Sequence, residues 1–335
     1  MKIYIYSKQH AHGIVVIIEN IIAAFNRKGI DCCRIESLDG RTVADTIIPY
    51  GVMEANELLD AGLPAKVCFP ADAITLGYRN KIKFYLSIGH VFNYDFFYSI
   101  YAYLKFFPKE KRMIRSFQKN VLVSNVDIDY FKKHICNQSE KYIYATNGVE
   151  IPEQITNTSN NPSEFRLGIL SPWKVKQITE ESLWFVKKYF LKYITSHPNV
   201  FLYIAGRGKD SAIFEGMKNV RVIGEVESLS DFFSNIDVMI SSNPKGCGIL
   251  NRVLDSFAHK VPVLGHVGSF TGFPNSEGCY FSFDSYESFC SQMDLLMNNK
   301  DEMKKRADNA YEYILKNNNW IKLYDNLVNK LIETI

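Results

Sequence analysis

A glycine-bearing segment near residue 250 carries the most specific chemical signal in the chain. Gly246 and Gly248 follow an apolar, strand-like stretch and precede a helical pattern that contains Arg252 and Asp255. Glycine lets a backbone approach a ligand closely, and the unpaired N–H groups of a helix start favour an anion. Arg252 adds a fork-shaped charge suited to phosphate oxygens, and Asp255, three residues on, offers a carboxylate to ribose hydroxyls. The segment predicts a nucleotide-sugar site; an ordinary strand–loop–helix with a surface Arg–Asp pair is the alternative.

Two sets of alternating strands and helices are predicted to position these residues. The first set begins with a strand at 2–6, a helix at 15–28 and a strand at 30–35, and continues with strands at 120–124 and 141–144. The second set has strands at 166–170, 200–205, 220–224, 238–240 and 261–264, with helices at 179–195, 229–235 and 252–259. Such alternation is typical of parallel sheets with helices on both faces. We expect an α/β protein with two Rossmann-like domains facing a cleft, where the carboxyl ends of the strands collect the ligands.

A polar stretch rich in Asn, Ser, Thr and Pro separates the two sets. It predicts a linker at 153–163, between a first domain at 1–152 and a second at 164–318. The remaining residues, 319–335, have a helical pattern around Trp320 and are expected to pack back on the first domain.

Composition narrows the class of protein. The 335 residues are 47% apolar and 22% charged, with a net charge of +3, which is typical of a soluble globular protein and disfavours a dedicated nucleic-acid binder. Seven scattered cysteines form no CxxC pair, which favours reduced thiols in the cytoplasm. No stretch approaches the 18 or so apolar residues of a membrane span. No GxGxxG follows the first strand, which disfavours a dinucleotide oxidoreductase.

Several further motifs occur in the order found in one known family. They are Asn147-Gly148-Val149, Gly168-Ile169-Leu170-Ser171 with Lys176, Ile204-Ala205-Gly206-Arg207-Gly208, Val222-Ile223-Gly224-Glu225-Val226 and Asn319-Trp320. Together with the segment around Arg252 they resemble GT-B glycosyltransferases of group 1 (family 4) over nearly the whole chain. The resemblance implies that the first domain binds an acceptor and the second a nucleoside-diphosphate sugar. That sugar is a co-substrate, so no cofactor and no metal is expected.

The chain departs from the family pattern at one carboxylate. The family often has two glutamates eight positions apart; Asp255 stands at the second, and Cys247 at the first. A subgroup with a GxGxxNR pattern and no first glutamate is closer to this chain. The resemblance implies that Arg252 and Lys176 stabilise the departing diphosphate, and that Lys174 or Arg207 substitutes for a missing phosphate-binding arginine. The donor-binding residues it implies are Gly206, Arg207, Gly246, Cys247, Gly248, Asn251, Arg252 and Asp255.

The first domain offers weaker candidates. His12 and Gly13 lie in a loop expected after the first strand, and we predict that they bind the acceptor; a polar loop without a ligand is the alternative. His90 follows an apolar, strand-like run, and the resemblance implies a His or Asp near the anomeric centre there; a buried core histidine is the alternative. Asp127-Ile128-Asp129 is a DxD, but capping of a helix N-terminus accounts for it better than a metal site.

Aromatic residues are concentrated in the first domain. From Phe84 to Phe107, eleven of 24 residues are Phe or Tyr, and a basic run reaching Lys119 adjoins them. Rings and cations suit contact with an anionic membrane, whereas core packing beside a solvated helix face is the alternative. We predict peripheral contact with the inner face of the plasma membrane.

These observations predict one main function and two alternatives. The main prediction is a metal-independent, retaining, hexosyltransferase-like enzyme that transfers a sugar to a saccharide or lipid-linked saccharide, in bacterial surface polysaccharide or lipopolysaccharide synthesis. A non-catalytic glycan- or nucleotide-binding protein of the same fold is one alternative, since Cys247 replaces the first glutamate. A GT-B nucleotide-sugar epimerase is the other.

Overall fold

The structure is a computed structural model that describes residues 2–155, 163–244, 246 and 248–335. Its residues divide into two compact units. Unit 1 comprises Met1–Gly148, Cys247–Ile249 and Asn318–Ile335, and unit 2 comprises Val149–Gly246 and Leu250–Asn317. Residues 156–162 of the predicted linker lie outside the described residues, and the domain boundaries at 152 and 318 stay predictions of the sequence.

Unit 1 is built on parallel strands with helices between them. Its strands are β1 (Lys2–Tyr6), β2 (Asp31–Ile35), β3 (Thr46–Pro49), β4 (Val67–Ala71), β5 (Lys119–Leu122) and β6 (Tyr142–Tyr144). Its first helices are α1 (His12–Arg27), α2 (Val52–Asp60), α3 (Ile74–Ser87), α4 (Tyr94–Ser116) and α5 (Asn125–His134), with a 3-10 turn at Ser139–Lys141. The strands form sheets of order β2-β1-β3 and β4-β5-β6, joined by a parallel bridge between Tyr50 and Phe69.

The last helix of the chain completes the core of unit 1. This helix, Trp320–Ile332, is numbered α12, and its residues Tyr324, Leu327, Val328 and Leu331 are buried. Their spacing of three and four residues forms one apolar stripe. The stripe packs into the cluster that contains Ile3, Ile5 and several side chains of α1.

Unit 2 contains one six-stranded parallel sheet. Its strands are β7 (Phe165–Leu170), β8 (Val200–Ala205), β9 (Val220–Gly224), β10 (Val238–Ser241), β11 (Val263–His266) and β12 (Phe281–Phe283). Its helices are α6 (Lys176–Phe185), α7 (Leu191–Tyr193), α8 (Leu229–Ser234), α9 (Asn251–Ala258), α10 (Tyr286–Asn298) and α11 (Lys300–Asn317). A π-helical turn at Val186–Phe190 joins α6 to α7, and 3-10 turns lie at Lys209–Phe214 and Val267–Phe270.

The order of these strands creates a switch point. The sheet runs β12-β11-β10-β7-β8-β9, so the chain leaves β7 toward β8 on one side and later reaches β10 on the other. Parallel doubly wound sheets bind ligands in the crevice outside the carboxyl ends of the two strands at such a point. In unit 2 those ends are Leu170 and Ser241.

The structure differs from the sequence prediction at three elements and at one helix cap. The run before His90 was expected to be strand-like, but it is the helix α3. The first helix begins at His12 rather than at residue 15, so His12 and Gly13 are helical and not part of a loop. The predicted helix 179–195 begins at Lys176 and contains the π-helical turn. Ser124, whose hydroxyl accepts from the N–H of Val126, caps α5 in place of the DxD.

Two further observations concern membranes and metals. Among the described residues, none of the helices is both long and apolar enough to span a membrane. Within the same part of the chain, no three or more His, Cys, Asp and Glu side chains come together as a metal ligand set.

Candidate functional site

Two loops of unit 2 meet at the carboxyl edge of its sheet. The loop after β7 begins at Ser171, which is buried, and the loop after β8 begins at Gly206. Trp173 anchors the first loop to the sheet, because its fully buried indole Nε1 donates to the carbonyl oxygen of Ala205 at 2.8 Å. This bond holds the backbone of 171–174 beside the end of β8.

Glycine is required where these two loops touch. A Cβ on Gly206 would overlap the carbonyl oxygen of Ser171, and one on Gly208 would lie 2.5 Å from the carbonyl carbon of Trp173. Both glycines also have φ values that L side chains rarely adopt, +122° and +131°. The glycine turn singled out in the sequence therefore serves close packing of two loop backbones at the sheet edge.

Arg252 points from α9 toward the first of these loops. Its Nη1 donates to Ser171 Oγ at 3.4 Å, which is a long hydrogen bond. Its Nε is buried, and no described residue provides an acceptor for it. Burial lowers the pKa of the guanidinium, while the negative charge of Glu181 raises it. A desolvated cation with a donor left over is a group that an anionic ligand would stabilise.

The start of α9 adds to this positive character. Leu250 is the N-cap residue and offers no side-chain acceptor, and the first turn holds no acidic residue. The first N–H groups of such a helix attract negative charge through their partial charges. Asn251, the first residue of the helix, is exposed. Arg252 and the N-terminus of α9 thus both favour an anion beside the start of this helix.

Asp255 lies one turn further along α9 and is half-buried. Desolvation, with a smaller contribution from the charge of Glu150, raises the pKa of its carboxyl to about 7. It is therefore close to its titration point at neutral pH. In the ionised form both oxygens accept hydrogen bonds, which is what paired hydroxyls require.

The loop after β10 is held by hydroxyl contacts. Ser269 Oγ donates to the carbonyl oxygens of Ser241 at 3.0 Å and Asn243 at 3.2 Å. A Cβ on Gly246 would overlap Thr271 Oγ1 and the carbonyl oxygen of Gly268. Only glycine therefore fits at position 246. Its neighbour Cys247, predicted to bind the donor, lies outside the described residues.

The remaining cations predicted for the donor are more exposed. Lys176 is exposed and is the first residue of α6. Arg207 is exposed and is paired with Glu225, to whose Oε1 its Nε donates at 2.8 Å. An exposed pair of this kind contributes about 0–1 kcal/mol, so a diphosphate can compete for the arginine. Arg252 is the most desolvated of these three groups.

Unit 1 contains an acidic pair that the sequence analysis did not identify as functional. Asp72 directly follows β4, and Asp127 is fully buried in α5. Asp127 Oδ2 accepts from the N–H of Gly248 at 3.1 Å, and a Cβ on Gly248 would overlap Asp72 Oδ1. The N–H of Gly248, predicted to bind the donor, is therefore engaged with Asp127.

The surroundings of this pair favour the protonated forms. Asp72 retains contact with solvent, but desolvation by the protein around it raises its pKa to about 6. Desolvation and the charge of Asp72 raise the pKa of Asp127 well above its usual range. The residue pattern does not reveal the strand before Asp72, because β4 contains Pro70 and proline is disfavoured inside strands.

The histidine candidates in unit 1 have mixed outcomes. His90 lies in the turn after α3 and is exposed. The alternative of a buried core histidine is therefore wrong, and His90 follows a helix instead of a strand. Gly13 is exposed in the first turn of α1, and the side chain of His12 lies outside what the structure describes. Their contact with an acceptor stays a prediction.

Solved structures similar to this chain extend over nearly its whole length. WaaG, a glycosyltransferase involved in lipopolysaccharide biosynthesis, is 11% identical with a TM-score of 0.64, over 98% of this chain and 99% of WaaG. Sucrose-phosphate synthase from Thermosynechococcus elongatus is 10% identical with a TM-score of 0.74, over 100% of both chains. HepE from Anabaena, solved with UDP and glucose, is 11% identical with a TM-score of 0.63, over 100% of both chains. No protein-family model and no curated protein matches the chain.

Similarity at 10–11% identity shows the fold. The parallel sheets described above and these whole-chain similarities agree with the fold class expected from the sequence. The chain is an α/β protein with two Rossmann-like domains, the GT-B fold of its glycosyltransferase neighbours.

Proposed function

We propose that the chain transfers a sugar from a nucleoside-diphosphate sugar to a saccharide or lipid-linked saccharide acceptor. The observation that carries the proposal is Arg252, a desolvated guanidinium at the switch point of the unit 2 sheet whose buried Nε has no acceptor among the described residues. Such a group costs free energy unless an anion binds it. A diphosphate has the charge and the oxygen geometry that a guanidinium binds best.

The proposed roles at the donor site follow from charge and position. Arg252 and Lys176 would stabilise the charge that develops on the diphosphate as the bond to the sugar carbon breaks, which is where preorganised cations lower a barrier most. Asp255 would accept from the ribose hydroxyls. The other proposed donor-binding residues supply close backbone approach or further polar contacts: Gly206, Arg207, Gly246, Cys247, Gly248 and Asn251.

The acceptor is proposed to bind unit 1. His12 and Gly13 would contact it, and His90 would lie near the reacting sugar carbon. The strand-end carboxyl of Asp72 is a second candidate for that place, because ligand sites of parallel sheets collect side chains at strand ends. The new bond joins an acceptor oxygen to the sugar carbon, and the hydroxyl proton leaves with the diphosphate. We propose that the reaction retains the anomeric configuration. We also propose that it needs no metal, because cations of the protein neutralise the leaving group.

The proposed setting is the synthesis of a bacterial surface polysaccharide or lipopolysaccharide. The similarity to WaaG, which acts in lipopolysaccharide biosynthesis, and to HepE, solved with UDP and glucose, supports a nucleotide sugar and a saccharide acceptor. We place the chain in the cytoplasm, in peripheral contact with the inner face of the plasma membrane.

Replacement of Arg252 tests the proposal. Arg252→Ala should lower the rate of nucleotide release from the preferred donor at least about 100-fold, because one desolvated donor at a developing charge is worth that much. Arg252→Lys should recover only part of the rate, since an ammonium lacks the planar fork. Arg306→Ala is the matched control, because Arg306 binds Glu302 and the carbonyl oxygen of Tyr280 instead of Ser171; circular dichroism monitors folding.

A panel of UDP-, GDP- and dTDP-sugars, assayed with and without saccharide acceptors, separates the proposal from its alternatives. Transfer should occur only when an acceptor is present. Binding without turnover across the panel would favour the non-catalytic protein, which the Cys247 replacement motivates. Conversion of a donor in the absence of acceptor would favour the epimerase. Near-normal activity of Arg252→Ala would overturn the assigned site.

A further inference from the structure

Helix α4 presents large apolar side chains to solvent along one face. The exposed fractions are 77% for Tyr94, 57% for Phe97, 58% for Tyr101 and 65% for Leu104, and Phe92 just before the helix is 93% exposed. The intervals of three and four residues place these side chains on one face. Exposed apolar residues elsewhere in the described chain, such as Val43, Ile213 and Ile321, belong to different elements. A contiguous apolar stripe is the kind of surface that marks an interaction site.

The rings on this face are packed against one another. The Tyr94 and Tyr98 rings stack at a centroid distance of 5.9 Å, and Tyr98 contacts Tyr101 at 6.3 Å. The ammonium of Lys105 lies 5.7 Å from the centre of the Tyr101 ring. The exposed face is therefore an ordered row of rings that ends in a cation.

Positive charge continues the same face toward the end of the helix. Lys105, Lys111 and Arg115 are exposed, whereas Arg112 is paired with Asp60 at 2.5 Å. Both acidic residues of α4, Asp95 and Glu110, are buried. The outward face of this fully described helix thus has an aromatic half and a basic half, and its two acids point inward.

Glu110 does not neutralise the positive charge on the outward face of α4, because its side chain is buried. Its carboxylate accepts from the backbone N–H of Thr75 at 3.3 Å and from the Thr75 hydroxyl, and the hydroxyl of Tyr130 donates to Thr75 Oγ1 at 3.0 Å. Burial raises the pKa of Glu110 to about 7. The acid is committed to the interior of unit 1, which fixes the rotation of α4 and turns the rings and cations outward.

We propose that this face docks on the surface of an anionic lipid bilayer. We call it the α4 stripe: Phe92, Tyr94, Phe97, Tyr98, Tyr101, Leu104, Lys105, Lys111 and Arg115. The helix of 23 residues, about 34 Å long, lies in the plane of the interface. Its rings and Leu104 enter the boundary between headgroups and acyl chains, and its cations contact the lipid phosphates. Docking of this kind would bring the enzyme to a lipid-linked acceptor, and for that purpose it rests on the proposed function.

Charge favours a bilayer over a second copy of the chain. A two-fold symmetric contact through the stripe would bring the basic halves of both copies into one interface, without an acid of the stripe to neutralise them. Lipid phosphates supply the missing negative charge. Tyrosine and lysine also suit an interface, because each has an apolar body and a polar end that reaches water.

Flotation of the full chain with vesicles, without donor or acceptor, tests the proposal. The wild type should bind phosphatidylcholine vesicles that contain about 30% phosphatidylglycerol, and bind pure phosphatidylcholine at least tenfold more weakly. A K105E/K111E/R115E variant should lose at least about tenfold in binding at low salt, since each cation near an anionic surface contributes about fivefold. An F97S/Y101S/L104S variant should lose the binding that persists at about 0.5 M salt, where electrostatic attraction is screened.

Two matched variants serve as controls. K187E/K218E/K316E makes the same change in charge at exposed lysines elsewhere, and V43S/I213S/I321S removes exposed apolar side chains elsewhere. Both should bind as the wild type does. All variants should keep their melting temperatures and their activity on a water-soluble acceptor.

Three results would overturn the proposal. They are equal vesicle binding by the wild type and both stripe variants, equal loss in the control variants, and a wild-type dimer that does not bind vesicles and that F97S/Y101S/L104S converts to a monomer. Vesicle binding by a wild type that transfers no sugar would leave the docking surface standing and refute the proposed function instead.

Discussion

Asp255 illustrates how burial sets the chemistry of single residues at the proposed donor site. Desolvation raises its pKa to about 7, whereas an exposed Asp titrates near 4. In the free protein the carboxyl is thus half protonated at neutral pH. A protonated carboxyl has one strong acceptor oxygen fewer than a carboxylate, so hydroxyl recognition becomes dependent on pH.

Donor affinity should therefore rise with pH. Between about pH 6 and pH 8 the ionised fraction of Asp255 increases from roughly a tenth to roughly nine tenths, so the Kd for the preferred donor should fall by up to about tenfold. Calorimetric titration of the sugar nucleotide across this range measures the effect. Asp255→Asn should bind more weakly and show a nearly flat profile.

The same shift affects stability with the opposite sign. Because the folded pKa is raised, the folded state binds the proton more tightly than the unfolded state, and stability is lost as pH rises from about 4 to about 7.

One result would contradict the prediction for donor affinity. A Kd that is equally dependent on pH in the wild type and in Asp255→Asn would remove Asp255 from the site.

Among the elements, the loops after β7 and β8 are in backbone contact at the carboxyl edge of the unit 2 sheet, where we propose that the donor binds. Gly206 has a φ of +122° and lies against the Ser171 carbonyl, while Ser171 also accepts from Arg252. Loop packing and the guanidinium are thereby coupled through one serine. Gly224, at the end of β9, has a φ of +80°, and a Cβ there would have no described atom within 4 Å.

Replacing Gly224 and Gly206 by alanine should separate the cost of a strained backbone conformation from the cost of steric overlap. Gly224→Ala should cost about 1–2 kcal/mol of unfolding free energy, the cost of a left-handed conformation for an L residue. Gly206→Ala should cost at least about 3 kcal/mol, because the added methyl group also overlaps a backbone oxygen. Urea unfolding measures both, and donor turnover should fall only for Gly206→Ala. Equal costs would mean that the Ser171 contact is easily relieved.

Element prediction from the sequence succeeded where the local signals agreed. The inner strands β8 and β10 of unit 2 have nearly continuous apolar runs, as expected for strands covered on both faces of a parallel sheet. In unit 1, β3 ends in Pro49 and β4 contains Pro70, and proline removes a donor from the ladder. The register of β4 against β5 shifts between Cys68 and Ala71, which accommodates Pro70 and could not be deduced from the residue pattern.

At the scale of the whole molecule, α12 contributes to a core that begins more than 300 residues earlier. Leu327 and Val328 are buried against the cluster that contains Ile3 and Ile5, and Arg27 is bonded to Asp325 at 2.7 Å. Unit 1 is therefore assembled from both ends of the sequence given. Its stability depends on residues that follow all of unit 2.

Removal of one side chain of α12 should destabilise unit 1. Leu327→Ala should cost about 2–5 kcal/mol, the range for a large-to-small change in a core. Ile321→Ala, at a position 57% exposed on the same helix, should stay within about 0.5 kcal/mol of the wild type. Hydrogen exchange should localise the loss to β1 and α1. Equal exchange in the two variants would show that α12 does not stabilise these elements.

Short stretches of the sequence were enough to predict most of the alternating strands and helices, the order of the motifs and the residue types at the proposed donor site. These depend on local periodicity and on glycine, arginine and aspartate chemistry, which short segments express on their own. The packing of the elements in three dimensions set which groups are desolvated, and so which carboxyls and cations have shifted pKa values. It also decided that Asp72, Asp127 and Gly248 lie together, and that the aromatic face of α4 points outward while Glu110 points inward. Burial and contact between distant residues depend on how elements pack, and local sequence does not encode that packing.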